Sequence, residues 1–278
     1  MSAHSAVTGI DTLKKLNPRR PRATFSIVRS VTRSLGFVLV LVLAGLDYAR
    51  AFCFQLRGES LRWRAFWLQR WSRITCRLIG LELHHRGSAP IAGMIVSNHL
   101  SYLDILAYSA VVPCVFVAKK EVAGWPVLGL FARLAGTIFV DRKRRMNVAD
   151  TNQWISRVMK AGVVVVLFPE GTSSDGRAVL PFHTSLLEPV VVSQSPVTPA
   201  AIQYHLNDGS VADEVCYWRD MTLLPHLTNL FSKRAVMARL AFGGHKFASA
   251  SYQRKEMARQ LHREVDELHA ALTRGVPV

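Results

Sequence analysis

From residue 81 onward, short apolar runs alternate with amphipathic stretches. Met94–Ser97, Cys114–Ala118, Thr137–Val140, Val163–Phe168 and Thr198–Tyr204 are almost wholly apolar. Runs of that length without polar alternation fit strands covered on both faces. Between them, Leu103–Val111, Val127–Ala135 and Val148–Ala161 carry apolar residues at helical spacing, and the last meets Gly162, a natural C-cap. The alternation predicts an α/β layered domain with a mostly parallel sheet. Near the end, Met257, Leu261, Val265, Leu268 and Leu272 mark a surface helix over Tyr252–Leu272 that packs back on the domain.

The first 80 residues have a different texture. Residues 1–24 are polar and basic, with Pro18 and Pro21 opposing a helix, and suggest a flexible arm. Ser34–Leu46 is an uncharged stretch of 13 residues between Arg33 and Asp47. That is short of the roughly 20 that cross a bilayer core. A signal peptide shares this layout, but LDYARAFCFQLR follows with no small-residue cleavage site. The pattern predicts a helix of roughly 25 residues, lying in one leaflet or barely spanning it. In residues 60–80, Trp63, Trp67 and Trp71 form a stripe continued by Ile74 and Leu78, with Arg70, Arg73 and Arg77 beside it. Such a helix suits a membrane interface, and equally an amphipathic helix packed on a core. The organisation expected is a membrane-anchoring segment, 1–80, before a catalytic domain, 81–278.

Charge sharpens this picture. The net charge is +16, and residues 1–80 hold 14 Lys/Arg against 3 Asp/Glu, an excess of 11. Basic residues gathered around an apolar helix and a Trp stripe point to anionic lipid. A nucleic-acid-binding protein would spread them over one folded face, so no nucleic-acid partner is expected. Seven Lys/Arg precede the apolar stretch, which places the N-terminus, and with it the catalytic domain, on the cytoplasmic side of the cytoplasmic membrane. Cys53, Cys76, Cys114 and Cys216 form no CxxC, and no His/Cys spacing suits zinc. Reduced thiols and no metal are expected.

Three segments carry chemistry. In MIVSNHLSYLD (94–104) a buried strand ends in a turn with His99, and Asp104 follows five residues later. Across a strand-to-helix turn that carboxylate can fold back onto the imidazole, orienting a general base. In GTIFVDR (136–142) a strand ends at Arg142, a cation able to grip phosphate bidentately. In VVVVLFPEGT (163–172) Pro169 and Gly171 break a central strand beside Glu170. Strand ends of this kind are where open α/β sheets place their sites.

Together these segments resemble the signature blocks of the glycerolipid acyltransferase family, of the 1-acylglycerol-3-phosphate O-acyltransferase type. NHLSYLD (98–104) matches its Asn-His-x4-Asp block and FVDR (139–142) its Phe-x-Asp-Arg block. FPEGTSS (168–174) matches Phe-Pro-Glu-Gly-Thr-Arg-Ser except at Ser173, and VTPAAI (197–202) loosely matches a fourth block. The resemblance covers roughly residues 90–205 and implies a membrane-associated O-acyltransferase. Its donor is acyl-CoA or acyl-carrier protein, its acceptor a membrane lysophospholipid, and it needs no cofactor. His99 takes the acceptor proton, Asp104 orients His99, and no acyl-enzyme forms, in keeping with the lack of a G-x-S-x-G elbow. Ser101 offers a competing Ser-His-Asp arrangement. Asn98, Arg142, Glu170, Gly171, Thr172 and Lys119 or Lys120 are the expected substrate-binding residues. The family's Arg at position 173 helps hold the acceptor's phosphate. Ser173 weakens that role unless Arg177 substitutes, and the following SDGRAVLPFHTSLL resembles relatives that acylate lyso-ornithine lipid. A non-catalytic membrane-binding protein of the same fold is the alternative of another class.

Overall fold

A computed structural model describes residues 25–53, 60–141, 145–247 and 253–275. The expected arm at 1–24 and Arg142 lie outside the described residues. The elements run α1 (Ile27–Cys53), α2 (Leu61–Ile79), β1 (Leu81–Arg86), β2 (Met94–Ser97), α3 (Leu103–Val111), β3 (Cys114–Lys119), α4 (Leu128–Leu134), β4 (Ile138–Val140), α5 (Arg145–Lys160), β5 (Val164–Leu167), α6 (Glu188–Ser193), β6 (Val197–His205), α7 (Val211–Glu214), α8 (Leu223–Ser232), β7 (Val236–Phe242) and α9 (Arg254–Arg274). Every strand and helix expected from 81 onward is present, with ends within a few residues. β1, β7, α6, α7 and α8 are additions.

The sheet has seven strands in the order β1-β7-β6-β2-β5-β3-β4. β6, β2, β5, β3 and β4 are parallel, whereas β7 pairs antiparallel with β6 and carries β1 parallel to itself. Both faces are covered, which is why the central strands are uniformly apolar. On β2, Ile95 points into a cluster with Leu103 and Tyr108 of α3. Its neighbours Met94 and Val96 point into one with Ile155 and Val158 of α5.

α1 and α2 form an antiparallel pair. Gly36 lets them approach so closely that a Cβ there would lie 2.7 Å from Leu78 Cδ1. The pair packs against the rest of the chain. Cys76 and Ile79 of α2 belong to the main core. Gln69 and Arg73 donate to the carbonyls of Val111 (3.1 Å) and Ala110 (2.7 Å), serving acceptors at the C-terminus of α3 that have no partner within the helix. The Trp stripe also turns inward. Trp67 is buried, stacked with Phe131 and edge-on to Tyr48, and Trp63 lies against Tyr48. Of the two readings, core packing is the one realised.

α1 is docked along most of its length. Arg29 donates to Ser232 O (2.7 Å) and Arg33 to Lys233 O (2.6 Å) and Arg234 O (3.1 Å), which caps the C-terminus of α8. Farther along, Asp47 accepts from the Trp71 indole (3.0 Å). The opposite face, including Ile27, Val31, Leu35, Val38, Val42 and Leu46, is apolar and exposed. By length and composition α1 passes as a membrane helix: it has 27 residues, and an 18-residue window of it has a mean hydropathy of 1.9.

Candidate active site

β2 and β5 pair with Val96 opposite Leu167, so the residues that follow each strand leave the sheet's C-terminal edge side by side. These are His99 and Glu170. The turn after β2 is fixed by Asn98, whose side-chain amide donates to Ile202 O (3.0 Å) and accepts from Ile202 N (2.9 Å). Asn98 is buried, and both groups of its side-chain amide bond to β6, which positions the turn.

Asp104 sits in the first turn of α3 with no exposed surface. Its Oδ2 meets His99 Nδ1 at 2.7 Å and accepts from the amides of Leu100 (2.7 Å) and Ser101 (3.2 Å). Its Oδ1 accepts from Tyr204 Oη (2.6 Å). Donors from the catalytic turn and from β6 thus converge on this one carboxylate at the start of α3. Burial pushes the Tyr204 phenol far above its ordinary range, so it remains a donor. With Nδ1–H given to Asp104, the lone pair of His99 lies at Nε2. The imidazole stacks on Phe168 (4.3 Å, 12°) and is 23% exposed. Ser101 Oγ has no hydrogen-bond partner, so the link that a Ser-His-Asp triad needs is missing.

The third segment folds against this turn. Gly171 takes φ 71°, and Ser174 N donates to His99 O (3.0 Å). Glu170 is buried; Oε1 accepts from Leu180 N (3.2 Å) and Oε2 has no hydrogen-bond partner. Burial, aided by the charge of Asp104, pushes its carboxyl up to about 8, against the pull of the Leu180 and His99 amides. Glu170 therefore lies beneath the loop as a neutral acid, a different position from the head-group contact expected of it. Thr172 is exposed. Ser173 donates its hydroxyl to Tyr217 O, which ties the loop to the segment before α8. Arg177 is 84% exposed and paired with Asp175 (3.2 Å). Lys119 is exposed at the end of β3, and Lys120 pairs with Asp141 (3.6 Å) at the end of β4.

Beside the turn is an apolar cavity of about 210 Å³, enclosed by α1, α2, α3, α4 and α8. Phe37, Trp67, Leu106, Phe131 and Phe231 line it, as does Tyr102, three residues after His99. No group of three or more His, Cys, Asp or Glu among the described residues could hold a metal. All four cysteines are free. Local reading missed Tyr204 and the Tyr217 segment. Tyr204 stands two residues past the loosely matching VTPAAI block and Tyr217 near no motif, and both reach the site only through the fold.

The family model described as Acyltransferase matches residues 82–203. The chain is 33% identical over 256 residues to the lyso-ornithine lipid O-acyltransferase of Rhizobium meliloti, covering 86% of each. It is 35% identical over 155 residues to the 1-acyl-sn-glycerol-3-phosphate acyltransferase of Neisseria gonorrhoeae, covering 52% of this chain and 61% of that protein. In fold it is similar to the crystal structure of the 1-acyl-sn-glycerophosphate acyltransferase from Thermotoga maritima. The TM-score is 0.69 at 17% identity, covering 89% of this chain and 95% of that one.

Proposed function

The chain belongs to the acyltransferase family and acts on lyso-lipids, and on that premise we propose that it moves a fatty acyl group from acyl-CoA or acyl-carrier protein to a lyso-lipid hydroxyl at the membrane surface. The observation that carries the mechanism is the 2.7 Å contact between His99 Nδ1 and Asp104. Nε2 of His99 takes the proton of the acceptor hydroxyl as its oxygen attacks the thioester carbonyl. Asp104 stabilises the imidazolium, which then protonates the departing thiolate. No acyl-enzyme intervenes. The apolar cavity takes the acyl chain, because its walls match the chain's chemistry and its lining includes Tyr102, three residues from His99.

The acceptor is a lyso-lipid without a phosphate monoester, of the lyso-ornithine class. Three facts support this reading: Ser173 is spent on Tyr217 O, Arg177 is held at the surface by Asp175, and the relative from R. meliloti spans most of the chain. The exposed face of α1 lies in one leaflet. A helix of 27 residues held to α8 at Arg29 and to α2 at Asp47 has no free length with which to cross. The catalytic domain faces the cytoplasm, on the weight of the basic residues before the apolar stretch.

The test is thioester consumption by purified protein with a panel of lyso-lipids. The expected result is a higher kcat/KM for lyso-ornithine lipid than for lysophosphatidic acid, and no turnover by His99→Ala. Near-normal turnover by that variant would sink the mechanism, and a strong preference for lysophosphatidic acid would sink the acceptor assignment.

A further inference from the structure

A second histidine stands at the rim of the site. His226, in the first turn of α8, is buried. Its Nε2 lies 3.0 Å from Cys216 O, and its Nδ1 lies 2.9 Å from Tyr102 Oη. A carbonyl only accepts, so Nε2 carries the proton and Nδ1 accepts from the Tyr102 hydroxyl. Burial lowers the His226 pKa, in keeping with a neutral ring. Tyr102 is two residues before Asp104, and its ring lines the apolar cavity. Tyr217 packs edge-on against both rings, with centroids 5.4 Å and 5.3 Å away, and donates its amide to Leu100 O (2.8 Å) in the catalytic turn. α8 is itself held by α1, through Ser30 Oγ donating to Thr228 O (2.9 Å) and through Phe37 against Phe231.

We propose that His226 is a positioning residue for acyl transfer, holding the Tyr102 phenol where the acyl cavity opens onto the catalytic turn. Without this partner the Tyr102 hydroxyl loses its hydrogen bond, and the ring is held by packing against Tyr217 and the cavity wall alone. The ring then no longer presents one fixed wall to the first carbons of the acyl chain. The thioester carbonyl is aligned less well with His99, and the discrimination between chains of different length weakens. This rests on the cavity being the acyl site.

The two ring nitrogens can be separated by substitution. In His226→Asn the side-chain oxygen takes the place of Nδ1 and keeps the acceptor for Tyr102. In His226→Gln the amide nitrogen takes the place of Nε2 and keeps only the bond to Cys216 O. Turnover is measured with acyl-CoA thioesters of graded chain length. Affinity is measured in parallel with non-hydrolysable thioether analogues of the same lengths. His226→Ala and His226→Gln are expected to lower kcat about tenfold, the factor of one buried hydrogen bond, and to flatten the chain-length preference. Acceptor KM should hold, and His226→Asn should restore both properties. Tyr102→Phe combined with His226→Ala should be no worse than either alone. Equal losses in Asn and Gln variants, or an unchanged chain-length preference in both turnover and analogue binding, would overturn the proposal. A wild type that transfers to no lyso-lipid, yet whose analogue preference is flattened by His226→Gln and kept by His226→Asn, leaves this role standing and refutes the proposed function.

Discussion

Asp104 is buried, and Tyr204 supplies the donor to its Oδ1. Tyr204→Phe leaves that oxygen without a donor and without access to water. The expected cost is about 1–3 kcal/mol of stability, together with a fall in kcat, measured by urea unfolding and by turnover. Glu170 makes a prediction in pH. Its carboxyl, raised by burial to about 8, keeps its proton in the folded chain after the unfolded chain has released it. Its contribution to stability is therefore full below the ordinary carboxyl range, and is lost as pH rises toward about 8. Glu170→Gln should remove that dependence, so melting curves of variant and wild type should diverge on going from pH 5 to pH 9, in the variant's favour. At this scale the sequence was readable where partners are close in the chain. His99 and Asp104 are five residues apart and their contact follows from the turn, whereas Tyr204 lies 100 residues from Asp104 and carries no local mark.

Helices show the limit of periodicity. The Trp face of α2 has the pattern of a lipid-facing surface, yet it packs on Tyr48 and Phe131, and α1 presents the exposed apolar face instead. An apolar stripe looks the same whether lipid or a neighbouring helix covers it. Strands β1 and β7 escaped notice for a related reason. LELHHR at the sheet edge leaves His84 and His85 exposed, so it lacks the continuous apolar run of the central strands. Replacing Leu35 and Val42 together by Lys should weaken binding to anionic vesicles on the order of 100-fold, since each residue gives up burial in the interface. Flotation measures the binding, and an unchanged melting temperature shows that the fold is intact. Arg33→Ala strips the donors from Lys233 O and Arg234 O and should cost about 1–3 kcal/mol, read as a lower melting temperature.

In the whole molecule, five parallel strands direct their C-terminal ends to one edge, and the blocks visible in the sequence are those that emerge there. Most of the basic excess lies in the first 80 residues, alongside α1. Attachment to anionic vesicles should therefore weaken as salt is raised, whereas attachment to neutral vesicles should not. The long reach of α1 also constrains the order of events during synthesis. Arg33 closes on carbonyls 200 residues farther along, and β1 enters the sheet only through β7. Contacts so distant in sequence form late. While the ribosome is still working, the inner face of α1 has no α8 to bind, but its outer face already has a bilayer within reach. If α1 seats in a bilayer as proposed, the nascent chain reaches its place of work before it has a catalytic edge to work with. A ribosome-stalled chain ending before Val236 should already float with vesicles while showing no turnover.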